Sequence, residues 1–225
     1  MSSRLVLNFT NYEIMIKKIL ITFIILASNA FADKKFEEGI DFEIMDNRPS
    51  AYQLKEVNKI DVAEVFWYGC PHCYVFEEYL SKWDKKNDKD VNFFNIPAVF
   101  NKTWLLHAKT FYTIMALENS SELHKNFFYA YHEQARTFSN KESIINFFNS
   151  QGVDPSKAKL IFESEQVAKK VQEANYKLET YKLGGVPVMI INDKYKISGN
   201  MAKSYDRMIE ISEYIIDLER ANRAK

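Results

Sequence analysis

The sequence predicts an α/β fold, a small β-sheet interrupted by a helical segment. Three observations predict it. Asp61 to Tyr68 is mostly apolar and aromatic, the composition of a strand buried on both faces. From Thr103 to about Ala168 apolar residues recur at helical spacing and no strand stands out. After Gly184-Gly185 strand-forming residues return, followed by a last amphipathic stretch. The resulting order is strand, helix, strand, helices, strand, strand, helix.

In chain order, Lys17-Lys18 precede an apolar run from Ile19 to Ala27, and Ala30-Phe31-Ala32 follows a small-x-small cleavage pattern. Residues 1–32 therefore read as a secretory signal peptide, with Met15 the more ordinary start. An apolar region of about nine residues is too short to span a bilayer comfortably. An exported protein meets an oxidising compartment, where a cysteine pair can cycle as a disulfide. Phe42-Glu43-Ile44-Met45 reads as an edge strand ended by Pro49. The central strand, Asp61 to Tyr68, is broken by Gly69. Phe76, Leu80 and Trp83 then mark one face of a helix, with Glu77, Glu78 and Lys82 between them. Asn87 to Asp90 is a turn, and Val91 to Ile96 a second strand stopped by Pro97.

In the helical segment, Leu105, Ala108, Tyr112 and Met115 fit one face. Phe127, Phe128 and Tyr131 suit a second helix, and Ile144, Ile145, Phe147 and Phe148 a third that Gly152 ends. Asp154-Pro155 has the form of an N-cap followed by a first-turn proline, with two helices from there to Leu183. The aromatic stripes read as core more readily than as a binding surface. Val186 to Ile191 and Tyr195 to Ser198 form a hairpin about Asn192-Asp193. Met208, Ile211, Ile215 and Leu218 mark the final helix. A chain of 225 residues, 47% hydrophobic and 15% aromatic, has room for a sizeable core. Its 30 basic and 30 acidic side chains balance, so no bulk charge points to nucleic acid.

The chemistry lies in Cys70-Pro71-His72-Cys73, which holds the only two cysteines of the sequence. Half a zinc site is a poor reading, because no second cysteine pair completes it. A structural disulfide across two residues would constrain the unfolded chain little. A dithiol/disulfide redox centre fits better. Cys70 stands at a helix start and Pro71 where the first turn tolerates proline. Free backbone N–H groups and the positive helix end favour an anion there, and His72 adds a donor or a charge. Each unit by which the thiol pKa falls is worth about 1.4 kcal/mol, or roughly 30 mV for a two-electron couple. A stabilised thiolate makes the disulfide a stronger oxidant.

The Cys-Pro-His-Cys motif, the aromatic strand before it and Gly185-Val186-Pro187 far downstream resemble the DsbA family of bacterial periplasmic thiol:disulfide oxidoreductases. The segment from Gly39-Ile40-Asp41-Phe42 to Pro49 resembles the family's start, so the likeness covers the whole chain after the leader. It implies a thioredoxin fold of residues 33–100 and 166–225, with 101–165 a helical insertion. It also implies the low-pKa cysteine for which the family is known. It implies a cis Val186–Pro187 bond, where the residues alone favour trans, with Val186 free to pair its backbone with an extended substrate.

Glu64 shares a strand face with Val62, Phe66 and Tyr68. A surface-reaching side chain is one reading of it. The resemblance implies a buried acid that moves protons to and from Cys73. The family often has a lysine on the neighbouring strand as partner to this acid, and Val91 to Pro97 contains none. His107, His124 and His132 have no defensible ligand or catalytic spacing and read as structural, Trp83 and Trp104 as packing, and Trp67 and Tyr68 as flanking the site.

The expected function is to introduce disulfides into exported proteins. A substrate thiolate attacks Cys70 and Cys73 leaves; a second substrate thiol then resolves the mixed disulfide. The resemblance implies reoxidation by a DsbB-like membrane quinone reductase. No cofactor or metal is called for. There is no room for the dimerisation domain that reductases and isomerases of this kind often carry, so a monomer is expected. The rival readings are a periplasmic disulfide reductase or isomerase, and a chaperone-like binding module.

Overall fold

A computed structural model describes residues 35–46 and 59–223. The predicted leader 1–32, the start at Met15 and the stop at Pro49 lie outside the described residues. The central strand is β2 (Ile60–Phe66), and its neighbours explain its composition. It pairs in parallel with β3 (Val91–Pro97), from Ile60 opposite Val91 to Phe66 opposite Pro97. On its other side it runs antiparallel to β4 (Val188–Ile191), Val62 facing Ile191 and Val65 facing Val188. With β5 (Tyr195–Ser198) and the two-residue edge strand β1 (Glu43–Ile44), the sheet order is β1-β5-β4-β2-β3. A strand with both edges paired and both faces covered needs an apolar sequence, and every residue of β2 except Asp61 is buried.

The parallel β2–β3 pair requires a crossover, supplied by α1 (Pro71–Lys82) and a short 3-10 turn over Asp84–Asn87. The β4–β5 hairpin turns on Asn192 and Asp193, whose φ angles of 52° and 51° are those of a type I′ turn. The Asn192 side chain also accepts from the Asp61 backbone N–H at 3.0 Å, tying the hairpin to the start of β2.

Four helices follow β3: α2 (Lys102–Met115), α3 (Ser120–His132), α4 (Lys141–Ser150) and α5 (Pro155–Phe162). Three start on side-chain caps. Asn101 accepts from the N–H groups of Thr103 and Trp104, Asn140 from Ser143 and Asp154 from Lys157. Phe111, Ile114, Phe127, Phe128, Ile144, Phe147 and Phe148 close one core, which also takes in Phe66, Tyr68 and both cysteines. Each such side chain contributes about 1.5–3 kcal/mol through burial. The predicted stripe on α2 is wrong at both ends: Leu105 is 39% and Met115 42% exposed, while Phe111 and Ile114 face inward. The facing partners of a helix, here α3 and α6 on different sides, decide which of several apolar stripes is buried.

Next, α6 (Glu165–Thr180) packs Ala174 and Leu178 with Val65, Ile96, Val188 and Ile190 in a second core on the sheet. The chain ends in a one-turn α7 (Gly199–Ala202) and the long α8 (Tyr205–Arg223), which buries Met208, Ile211 and Ile215. Neither α7 nor the 3-10 turn is foreseen by periodicity, because each is too short to repeat. Among the described residues no helix is long and apolar enough to cross a membrane.

Candidate active site

Where β2 ends, Trp67-Tyr68-Gly69 turns the chain into α1, and the Cys70 N–H donates to the Trp67 carbonyl at 2.9 Å. The Trp67 ring folds back over Gly69: a Cβ there would lie 2.4 Å from it. The strand already ends at Phe66, so Gly69 does not break it as expected; its role is to admit the indole. The same ring stacks on Trp104 of α2, centroids 4.2 Å apart and planes within 6°.

Cys70 is the N-cap of α1, in extended conformation, with Pro71 in the first turn. Its sulfur accepts from the Cys73 backbone N–H at 3.3 Å, as a serine or aspartate oxygen does at other helix starts. Cys70 is 7% exposed and Cys73 fully buried, and the two thiols are unbridged. The Cys70 thiol donates to the Val186 carbonyl across 3.6 Å, and the Val186–Pro187 bond is cis. His72 is exposed and shares a 3.0 Å hydrogen bond with the Tyr205 hydroxyl. The stretch Pro71–Cys73 and the Val186-Pro187 loop, 116 residues apart at the Cys70–Val186 contact, thus meet at one sulfur.

The two sulfurs have opposite electrostatic fates. Cys70 is lowered to about 6. Its largest cause is the hydrogen bond from the Cys73 thiol; burial opposes it, and the backbone N–H groups of Cys73 and His72 and the His72 ring add to it. The helix start and His72, to which the sequence points, rank behind the partner thiol. Cys73 is pushed far up, first by burial, then by its bond to Cys70 and by the neighbouring Glu64 carboxyl. At neutral pH one sulfur is a thiolate and the other keeps its proton. The Cys70 bond to Val186 belongs to the thiol form and is given up on ionisation.

Glu64 is fully buried, so the surface-reaching reading fails. Burial raises its pKa first and Glu77 second, so the protonated form is favoured. The register sets Asn95 opposite Glu64, and Asn95 Nδ2 donates to Glu64 Oε2 at 2.6 Å. A neutral amide stands where the resemblance leads one to expect a lysine. Lys86 of the 3-10 turn donates to the Leu80 carbonyl, and burial lowers its pKa, with Glu77 and Glu64 opposing.

Behind the motif lies a buried polar chain to which no sequence pattern points. The Tyr68 hydroxyl is 2.7 Å from His124 Nδ1, and His124 Nε2 is 3.2 Å from Glu77 Oε1. His132 Nε2 donates to the Tyr68 carbonyl at 2.8 Å, and its ring stacks on Tyr74 at 4.7 Å. Glu77 points inward, not to the outer face its helical position suggests. No spacing in the sequence links these residues, since helix α3 brings the histidines to the motif only through tertiary packing. His107 stays apart from the cysteines, buried against Trp67, and burial lowers it to about 4.

A family model described as a DSBA-like thioredoxin domain matches residues 61–208. The chain belongs to the DsbA family. It is 31% identical to the thiol:disulfide interchange protein DsbA of Pseudomonas aeruginosa over 176 residues, 78% of this chain and 83% of that protein. The DsbA of Pseudomonas syringae pv. tomato is 34% identical over 172 residues, 76% and 80% of the two chains. Among solved structures, Pseudomonas aeruginosa DsbA superposes with a TM-score of 0.80 at 28% identity, covering 86% of this chain and 99% of that one. The oxidoreductase DsbA of Xylella fastidiosa gives 0.74 at 29% identity, covering 83% and 98%. The fold is therefore the DsbA form of the thioredoxin fold, as the resemblance implied.

Proposed function

We propose that this DsbA-family chain is a thiol:disulfide oxidoreductase that introduces disulfide bonds into reduced, exported proteins through Cys70 and Cys73. The observation that carries the reading is the Cys70 sulfur at the N-cap of α1, 3.3 Å from the Cys73 N–H. In the oxidised enzyme a substrate thiolate attacks Cys70 Sγ. The Cys70–Cys73 bond breaks and Cys73 leaves, taking a proton that protonated Glu64 holds nearby. A second substrate thiolate then attacks the substrate sulfur of the mixed disulfide. The substrate disulfide forms and Cys70 departs as a thiolate. A leaving group of low pKa speeds that step. Two electrons pass from substrate to enzyme, and the enzyme ends as the dithiol.

In the same reading Pro71 starts the helix that holds the thiolate, His72 adds donor and charge, and the Val186-Pro187 loop offers backbone groups to the substrate chain beside Cys70. The thioredoxin-like part is 33–100 with 166–225, and 101–165 is the insertion. The protein works as a periplasmic monomer, and a DsbB-like quinone reductase in the membrane returns it to the disulfide. The test is a reduced, unfolded secretory protein mixed with the oxidised enzyme. Its free thiols disappear with the native chain and persist with Cys70→Ser; equal outcomes for the two would refute the assignment.

A further inference from the structure

Val186, which touches Cys70, also lines a groove of about 870 Å³ between the Lys182–Pro187 loop and the β5–α7–α8 corner. Val186, Pro187, Val188 and Met201 give it apolar surface, and His72 and Tyr205 stand at its Cys70 end. Its charges are one-sided. Three lysines line it, Lys182, Lys196 and Lys203, against the single carboxylate Glu43. Lys196 Nζ is 2.7 Å from Glu43 Oε2, so those two neutralise each other. Lys182 and Lys203 are exposed, and neither ammonium has an ion-pair or hydrogen-bond partner among the described residues. They stand on separate elements, one after α6 and the other between α7 and α8. In a chain whose charges balance overall, two unpaired cations in one groove make a local positive field.

We infer that this groove selects substrate segments that carry an Asp or Glu side chain within a few residues of the reacting cysteine. The inference rests on the oxidoreductase reading above and adds the class of substrate. An extended segment whose cysteine meets Cys70 runs along the Val186-Pro187 loop, with its neighbouring side chains over the groove. Apolar neighbours meet Val186 and Met201, and acidic ones meet Lys182 and Lys203. Contacts of this kind act on encounter and register, and salt weakens them.

Three dithiol peptides test this, identical except for aspartate, serine or lysine beside the reacting cysteine. The oxidised full-length enzyme should favour the aspartate peptide over the lysine peptide by roughly three- to tenfold in kcat/KM at low ionic strength. That ratio should fall toward one in high salt. It should also fall toward one in the Lys182→Asn/Lys203→Asn double variant, whose asparagines tolerate the positive φ of both positions. Because the ratio is internal to each enzyme, a general loss of activity does not imitate the effect. Equal kcat/KM for the aspartate and lysine peptides, with the serine peptide oxidised, overturns the inference alone, as does a preference that survives the double variant. If even the serine peptide stays reduced, the oxidoreductase reading falls and this inference with it.

Discussion

Replacing Cys73 separates the causes of the low Cys70 pKa. The leading cause is the hydrogen bond from the Cys73 thiol, with the Cys73 backbone N–H at 3.3 Å and His72 behind it. A hydrogen bond to a charged acceptor contributes about 1.5–3 kcal/mol. At about 1.4 kcal/mol per pKa unit, its loss raises Cys70 by roughly one to two units. Cys73→Ala should therefore move the midpoint from about 6 to about 7–8. Cys73→Ser keeps an O–H donor and should stay within about half a unit of the native value. Both variants keep the N-cap bond and His72, so neither should reach an ordinary thiol. The assay is the rate of Cys70 alkylation by iodoacetamide against pH, since only the thiolate reacts. If both variants titrate together near 6, the helix start and His72 suffice and the thiol is idle. If both titrate like free cysteine, the N-cap argument is wrong as well.

Three further perturbations have definite outcomes. Glu64→Gln keeps an acceptor for Asn95 but cannot ionise; because the folded pKa of Glu64 is raised, the native protein loses stability as pH climbs from the ordinary carboxylate value toward the raised one. In urea titrations the Gln variant should thus gain on the native chain by up to about 1.4 kcal/mol per pH unit across that window, with no gain below it; a pH-independent difference contradicts the shift. His124→Leu leaves the buried Tyr68 hydroxyl and Glu77 without their shared partner and should cost about 2–4 kcal/mol in the same titration, while the Cys70 alkylation midpoint holds near 6. Gly69→Ala drives a methyl into the Trp67 ring, which should cost about 1–3 kcal/mol and change the tryptophan fluorescence as the stack on Trp104 shifts; an unchanged spectrum and stability would mean the indole does not cover Gly69.

Much of this was readable in one dimension because the signals are local. The apolar run of β2, the proline after Cys70, the Asp154-Pro155 cap and the Asn192-Asp193 turn each bear their structural reason within a few residues. Six of the seven proposed site residues lie in or beside two short motifs, and those motifs meet. Glu64 needed the resemblance, because a carboxyl on a strand looks the same in sequence whether it ends in water or is buried behind a cysteine pair. What stayed hidden is tertiary. The Tyr68–His124–Glu77 chain joins three elements whose spacing means nothing until α3 packs on α1. Asn95 as the partner of Glu64 follows from strand register, and the buried stripe of α2 from its neighbours. The lead of the Cys73 thiol over the helix start follows from how the two sulfurs sit within the first turn.

The reduction potential of the Cys70–Cys73 pair against glutathione, followed as pH changes, tests the central claim most directly. While both thiols hold protons, two enter with two electrons and the potential falls by about 59 mV per pH unit; once Cys70 is a thiolate, only one enters and the slope halves to about 30 mV. With Cys73 held protonated, the slope should break at about pH 6. A single steep slope that persists to the titration of ordinary cysteine, at about pH 8.5, would contradict the account.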